Sequence, residues 1–170
     1  DKFFYVNPLE SPKGTHHRQP WFNTACCPTN LCRFIPSIGG YVYGTAQDAL
    51  YVNLYVQSEA NIDLNGTPLT VIQSTEYPYD GTVNLTIGTP KKGKAFGLCL
   101  RIPDWCKKYA VKLNGAQFDD LDIINGYARI DRKWESGDKI ELTLDMPVEM
   151  VYAHPRVKYD VGKVAVQRGP

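Results

Sequence analysis

The sequence predicts a mainly β protein: an antiparallel β-sandwich or jelly roll, preceded by a loop and a short helix. Three observations carry that expectation. Short β-rich runs follow one another from about residue 41 onward, and turn pairs such as Asn65-Gly66, Asn114-Gly115 and Asn125-Gly126 separate them. One run, Ile140 to Met146, alternates apolar and polar residues without a break, as a strand with one buried face must. At 170 residues the chain is long enough for one good core, or for one domain and a piece of another.

Residues 1 to 25 mix Pro, Asn, Gly, His and aromatics with no period, and read as an irregular loop packed over something else. The pattern changes at Thr29. Leu31, Phe34, Ile35 and Ile38 fall at helical spacing, with Thr29 or Asn30 as the expected N-cap and Gly39-Gly40 as the expected stop. Pro36 inside this stretch predicts a short or bent helix. Strands are then expected over Tyr41–Tyr43, Ala49–Val56, Ala60–Leu64, Leu69–Glu76, Thr82–Gly88 and Ala95–Ile102. Further ones are expected over Ala110–Leu113, Tyr127–Ile130, Lys139–Leu144 and Val148–Tyr152. Lys91-Lys92-Gly93-Lys94 reads as a solvated hairpin turn.

Composition excludes some function classes. A formal net charge of +1 argues against nucleic acid as the principal partner, because phosphate-binding surfaces carry a basic excess. No window approaches the roughly 18 apolar residues of a membrane span. The five cysteines are odd in number and form neither a CxxC pair nor a zinc-finger spacing, so a disulfide framework is not expected. Cys99 alternates with apolar neighbours as a buried small hydrophobe, and Cys106 follows Trp105 in a loop with no assigned role.

Cys26 and Cys27 are the residues most suited to chemistry. Neighbouring cysteines are poorly placed to bridge each other. A helix start favours the thiolate form of a thiol, and thiolates are both nucleophiles and zinc ligands. The alternative is a pair of inert thiols at a helix entry. Arg18, His16 and His17 lie close in sequence and could add charge or ligands, although paired histidines are commonly surface residues. His154 reads as structural. No carboxylate stands out as an acid/base: Asp119, Asp120 and Asp122 read as loop residues, and Glu59, Glu76, Glu135 and Glu141 fall on turns or strand faces.

The residues also resemble a known family. His17-Arg18-Gln19, Trp21-Phe22, Ala25-Cys26-Cys27-Pro28-Thr29-Asn30-Leu31 and Gly39-Gly40-Tyr41-Val42-Tyr43 closely resemble the signature block of glycoside hydrolase family 127, the β-L-arabinofuranosidase-type enzymes. Leu50 to Tyr55, Trp134 to Asp138 with Met146-Pro147, and Gly162 to Pro170 agree. The resemblance implies an (α/α)6 barrel followed by β-sandwich domains, and a zinc ion held by one glutamate and three cysteines. It implies retaining hydrolysis of arabinofuranosyl groups, with Cys26 as the nucleophile that forms a glycosyl thioether, and Cys26 and Cys27 on the zinc. The remaining ligands and the glutamate acid/base would lie upstream. Thr29 stands where the family commonly has proline, and Pro36 departs from its usual run.

Residues 1–40 are therefore expected to be the tail of the helical barrel, 41–153 a β-sandwich, and 154–170 a connector into the first strand of a second β-domain. Both ends read as cuts inside structured segments, so the chain is expected to pack against its own missing barrel and second β-domain, and to be inactive alone. An oligosaccharide or glycan is the expected partner, and the compartment stays open between cytoplasm and periplasm. Two other readings remain: a non-catalytic carbohydrate-binding or structural sandwich, and a zinc-thiolate redox site.

Overall fold

The computed structural model of the protein describes residues 2–6, 11–90 and 92–170, so Asp1 and the first lysine of the Lys91–Lys94 run lie outside it. The chain divides into two compact units, Asp1–Gly39 and Gly40–Pro170.

In the first unit, Phe3 and Gln19 exchange backbone hydrogen bonds of 2.9 Å, which folds the amino-terminal run onto the segment before the cysteines. The Phe3 and Tyr5 rings lie 5.4 and 5.9 Å from that of Phe22. Helix α1 follows, over Cys26–Ser37. It starts earlier than the Thr29 or Asn30 cap expected from sequence. Pro28 lies in the first turn, where the missing N–H would have had no intrahelical partner anyway. Thr29 does not cap; its hydroxyl bonds back to the carbonyls of Ala25 and Cys26 at 2.9 and 3.1 Å. Pro36 sits next to the last residue of α1, too late to bend it. Gly39-Gly40 is no stop either: a single turn, α2 (Gly39–Val42), follows at once.

The second unit carries strands β1 (Tyr43–Thr45), β2 (Ala49–Val52), β3 (Ser58–Asp63), β4 (Pro68–Thr75), β5 (Thr82–Gly88), β6 (Lys94–Arg101) and β7 (Tyr109–Leu113). Then come β8 (Ala116–Gln117), β9 (Asp122–Ile124), β10 (Tyr127–Trp134), β11 (Asp138–Leu144), β12 (Val148–Val151) and β13 (Ala165–Arg168). One sheet has the order β1-β2-β6-β10-β9, the facing one β3-β4-β5-β11-β7-β8, and β12 pairs with β13 in a separate ladder. Every named pairing is antiparallel except β2 with β6, which is parallel.

The core lies between the two larger sheets. On β11, Ile140, Leu142 and Leu144 point inward and Lys139 and Thr143 outward, as the alternation requires. Trp134 is fully buried against Phe96 and donates its indole N–H to the Phe96 carbonyl at 2.9 Å. The three Asn-Gly pairs all have positive φ at both residues, the conformation of a two-residue hairpin turn that glycine and asparagine tolerate best.

Several expectations need correction. The strand expected to run to Val56 ends at Val52, because the N–H groups of Asn53 and Leu54 turn to the Val42 carbonyl. The basic run near residue 92 is not a hairpin: the Gly93 N–H closes a turn on the Pro90 carbonyl at 2.8 Å, but β5 and β6, which flank it, belong to opposite sheets. Asp122 is not a loop residue but opens the edge strand β9. Among the described residues no helix is long and apolar enough to cross a membrane.

Candidate functional site

Cys26 and Cys27 are the first two residues of α1, both exposed and both free thiols. Backbone N–H groups of a first turn point out along the helix axis without intrahelical partners, so the sulfurs stand at the positive end of the helix dipole. No acidic side chain shares that turn. The two Sγ atoms lie 3.8 Å apart.

That separation tests whether the pair suits a metal. Two sulfurs bound to one tetrahedral ion through Zn–S bonds of about 2.3 Å stand roughly 3.8 Å apart. The adjacent thiols therefore fit as two ligands of one zinc ion. They are not a complete set: among the described residues no group of three or more His, Cys, Asp or Glu side chains is placed to hold a metal. His16 and His17 are exposed and do not join the cysteines in such a group. Arg18 is engaged elsewhere, with its guanidinium 5.0 Å over the Phe4 ring and 3.4 Å from the Lys2 carbonyl oxygen.

Tyr5 is the site residue that sequence reasoning missed. Its phenol interacts with the Cys27 thiol. That interaction, largest from Cys27 and then Cys26, holds the phenol above its ordinary range, while the Thr24 hydroxyl pulls the other way. No local pattern marks Tyr5; its place depends on the bridge between Phe3 and Gln19 and on the Phe22 ring.

The other cysteines offer no rival site. Burial pushes the Cys99 and Cys106 thiols up, and Cys106 donates to the Lys108 carbonyl at 3.0 Å. Cys32 lies exposed on α1, five residues beyond Cys27. The described residues of Asp1–Gly39 include no Asp or Glu, so they bring no acid/base carboxyl to the thiols.

Comparison with known proteins gives a consistent picture. The family model described as the β-L-arabinofuranosidase GH127 middle domain matches residues 49–146, and the one for the GH127 catalytic domain matches residues 1–40. A non-reducing end β-L-arabinofuranosidase of Bifidobacterium longum subsp. longum is 37% identical over 99% of this chain, which spans 27% of that protein. A crystal structure of a GH127 β-L-arabinofuranosidase from Geobacillus stearothermophilus T6 is similar with a TM-score of 0.87 and 46% identity, over 99% of this chain and 28% of that one. A second GH127 β-arabinofuranosidase structure gives a TM-score of 0.90 at 40% identity, over 99% of this chain and 29% of its own.

Proposed function

As the chain belongs to glycoside hydrolase family 127, we propose that it is part of a retaining glycosidase that releases L-arabinofuranosyl groups from glycans. Residues 1–40 would complete a helical catalytic barrel, 41–153 form the adjoining sandwich, and 154–170 lead into a further β-domain. The exposed apolar face of α1, with Leu31 and Ile35 more than half exposed at 57% and 61%, would then pack inside the barrel.

One observation carries the chemistry: two free thiols side by side at a helix N-terminus. In the proposed reaction the Cys26 thiolate attacks the anomeric carbon and forms a C–S bond as the glycosidic C–O bond breaks. The departing alcohol takes a proton from a carboxylic acid outside these residues, and the same carboxylate then draws a proton from the water that hydrolyses the thioether. Two displacements give retention of configuration. Cys27 would share a zinc ion with Cys26, completed by ligands elsewhere in the protein; when bound, the ion keeps both sulfurs deprotonated. Tyr5, which interacts with Cys27, would help to orient that sulfur. With no carboxyl beside the thiols among the described residues, this chain alone is expected to be inactive.

Hydrolysis of an aryl β-L-arabinofuranoside by the full-length protein tests the proposal. Cys26→Ser is expected to lower kcat by at least about a thousandfold. Undiminished activity in that variant would remove Cys26 from its assigned role.

A further inference from the structure

The outer face of the five-stranded sheet carries a feature that hydrolysis does not use. Parallel pairing of β2 with β6 sets Tyr51 beside Cys99, and antiparallel pairing of β10 sets Arg129 on the other side of Cys99. With Ile124, Asn125 and Tyr127 these residues line a cleft of about 250 Å³. Pockets that enclose drug-sized ligands run to roughly 300–1,000 Å³, so this one has room for a single small unit.

The cleft is rigidly built. Arg129 lies flat across β6, so close that a Cβ on Gly97 would stand 2.7 Å from its Cζ. Its Nε donates to Asp131 Oδ2 at 2.8 Å, and its Nη2 to Asp131 Oδ1 and Asp48 Oδ2, each at 2.9 Å. Among the described residues no acceptor meets the Nη1 hydrogens. Tyr51 and Tyr127 pack edge to face with centroids 5.2 Å apart, and the Tyr127 hydroxyl is fixed on Asn53 Oδ1 at 2.9 Å.

We infer that this cleft binds one residue of a neutral glycan. A sugar presents C–H faces that pack on aromatic rings and a fringe of hydroxyls that both donate and accept. Tyr51 and Tyr127 supply the rings and Arg129 Nη1 the donors, while Asp48 and Asp131, outside the lining, hold the guanidinium in place. One guanidinium against two carboxylates leaves the cluster net negative, which disfavours uronates and phosphates. Because Arg129 is already held in place, little side-chain entropy is lost on binding. The choice of a sugar rests on the glycosidase reading, but the cleft shares no residue with Cys26, Cys27 or Tyr5.

Affinity electrophoresis of the full-length protein tests this, with Cys26→Ser as the background so that nothing is turned over. Gels holding neutral arabinogalactan are compared with gels holding polygalacturonate, and thermal unfolding checks that each variant is folded. Tyr51→Ala is expected to weaken retardation on arabinogalactan by roughly tenfold in Kd. Asp131→Asn, at an exposed side chain that clamps Arg129, is expected to weaken it as well. The background protein should migrate freely through polygalacturonate. Equal retardation by both polymers, or unchanged retardation in folded Tyr51→Ala and Asp131→Asn, would overturn the inference, including the case in which another part of the polypeptide covers this face. Because the readout is binding in a protein that lacks its nucleophile, failure here is distinct from failure of the hydrolase reading.

Discussion

Tyr5 lies within interaction range of the Cys27 thiol, so a residue of the amino-terminal run reaches the first turn of α1. Tyr5→Phe keeps the ring on Phe22 and removes only the hydroxyl. In the full-length protein it is expected to lower kcat/KM by roughly tenfold or more. Unchanged kinetics would show that the Tyr5 hydroxyl does not tune the thiolates.

The 3.8 Å spacing of the two thiols carries a second prediction, read as metal content. The full-length protein should hold about one zinc per chain, and Cys27→Ser should lose most of it. Prolonged chelation should abolish arabinofuranoside hydrolysis, and added zinc should restore it. Full zinc content in Cys27→Ser would exclude that sulfur as a ligand.

Asp138 gives the sandwich a pH-dependent stability. Burial opposes its charge, but the Glu135 N–H at 2.9 Å, the Asn114 amide at 2.8 Å and the Arg132 guanidinium at 3.6 Å outweigh it and hold the carboxyl below its usual range. A group with a depressed folded pKa stabilises above its unfolded value of 3.8 and loses that contribution as pH falls through the folded one. Asp138→Asn should therefore cost about 1.5–3 kcal/mol at pH 7 by urea unfolding. The difference from the parent should shrink steadily below pH 3.8. A gap that stays constant down to strong acid would contradict this account.

Trp134 separates packing from hydrogen bonding in the same core. Trp134→Ala should cost about 3–5 kcal/mol, since a fully buried indole leaves a cavity between the sheets. Trp134→Phe refills much of it but strips the Phe96 carbonyl of its 2.9 Å donor, so an intermediate loss is expected. Equal losses for both would mean that the hydrogen bond dominates.

Residues that encode a local rule were legible in the sequence. Ile140, Leu142 and Leu144 announced a strand with one buried face, and the Asn-Gly pairs announced turns with positive φ. Cys26 and Cys27 were legible as a pair because adjacent thiols have few structural uses. What stayed hidden depends on distant partners or very short elements. Ala116–Gln117 and Asp122–Ile124 are exposed edge strands with no apolar alternation to read. The parallel match of β2 with β6 is set by the route between the sheets, not by either strand's own pattern. The start of α1 was misplaced because Thr29 looks like a cap, although a first turn tolerates it and Pro28 alike. Tyr5 reaches Cys27 only through backbone pairing between Phe3 and Gln19.

The central claim is that Cys26 becomes covalently glycosylated during turnover. The full-length protein, mixed with an aryl β-L-arabinofuranoside, quenched in acid and digested, can be read peptide by peptide by mass spectrometry. The account predicts the mass of one anhydropentosyl group on the peptide carrying Cys26 and Cys27, with fragmentation placing it on Cys26 and none in Cys26→Ser. An active enzyme whose peptides stay unmodified at Cys26, or carry the sugar on a carboxylate instead, would contradict it.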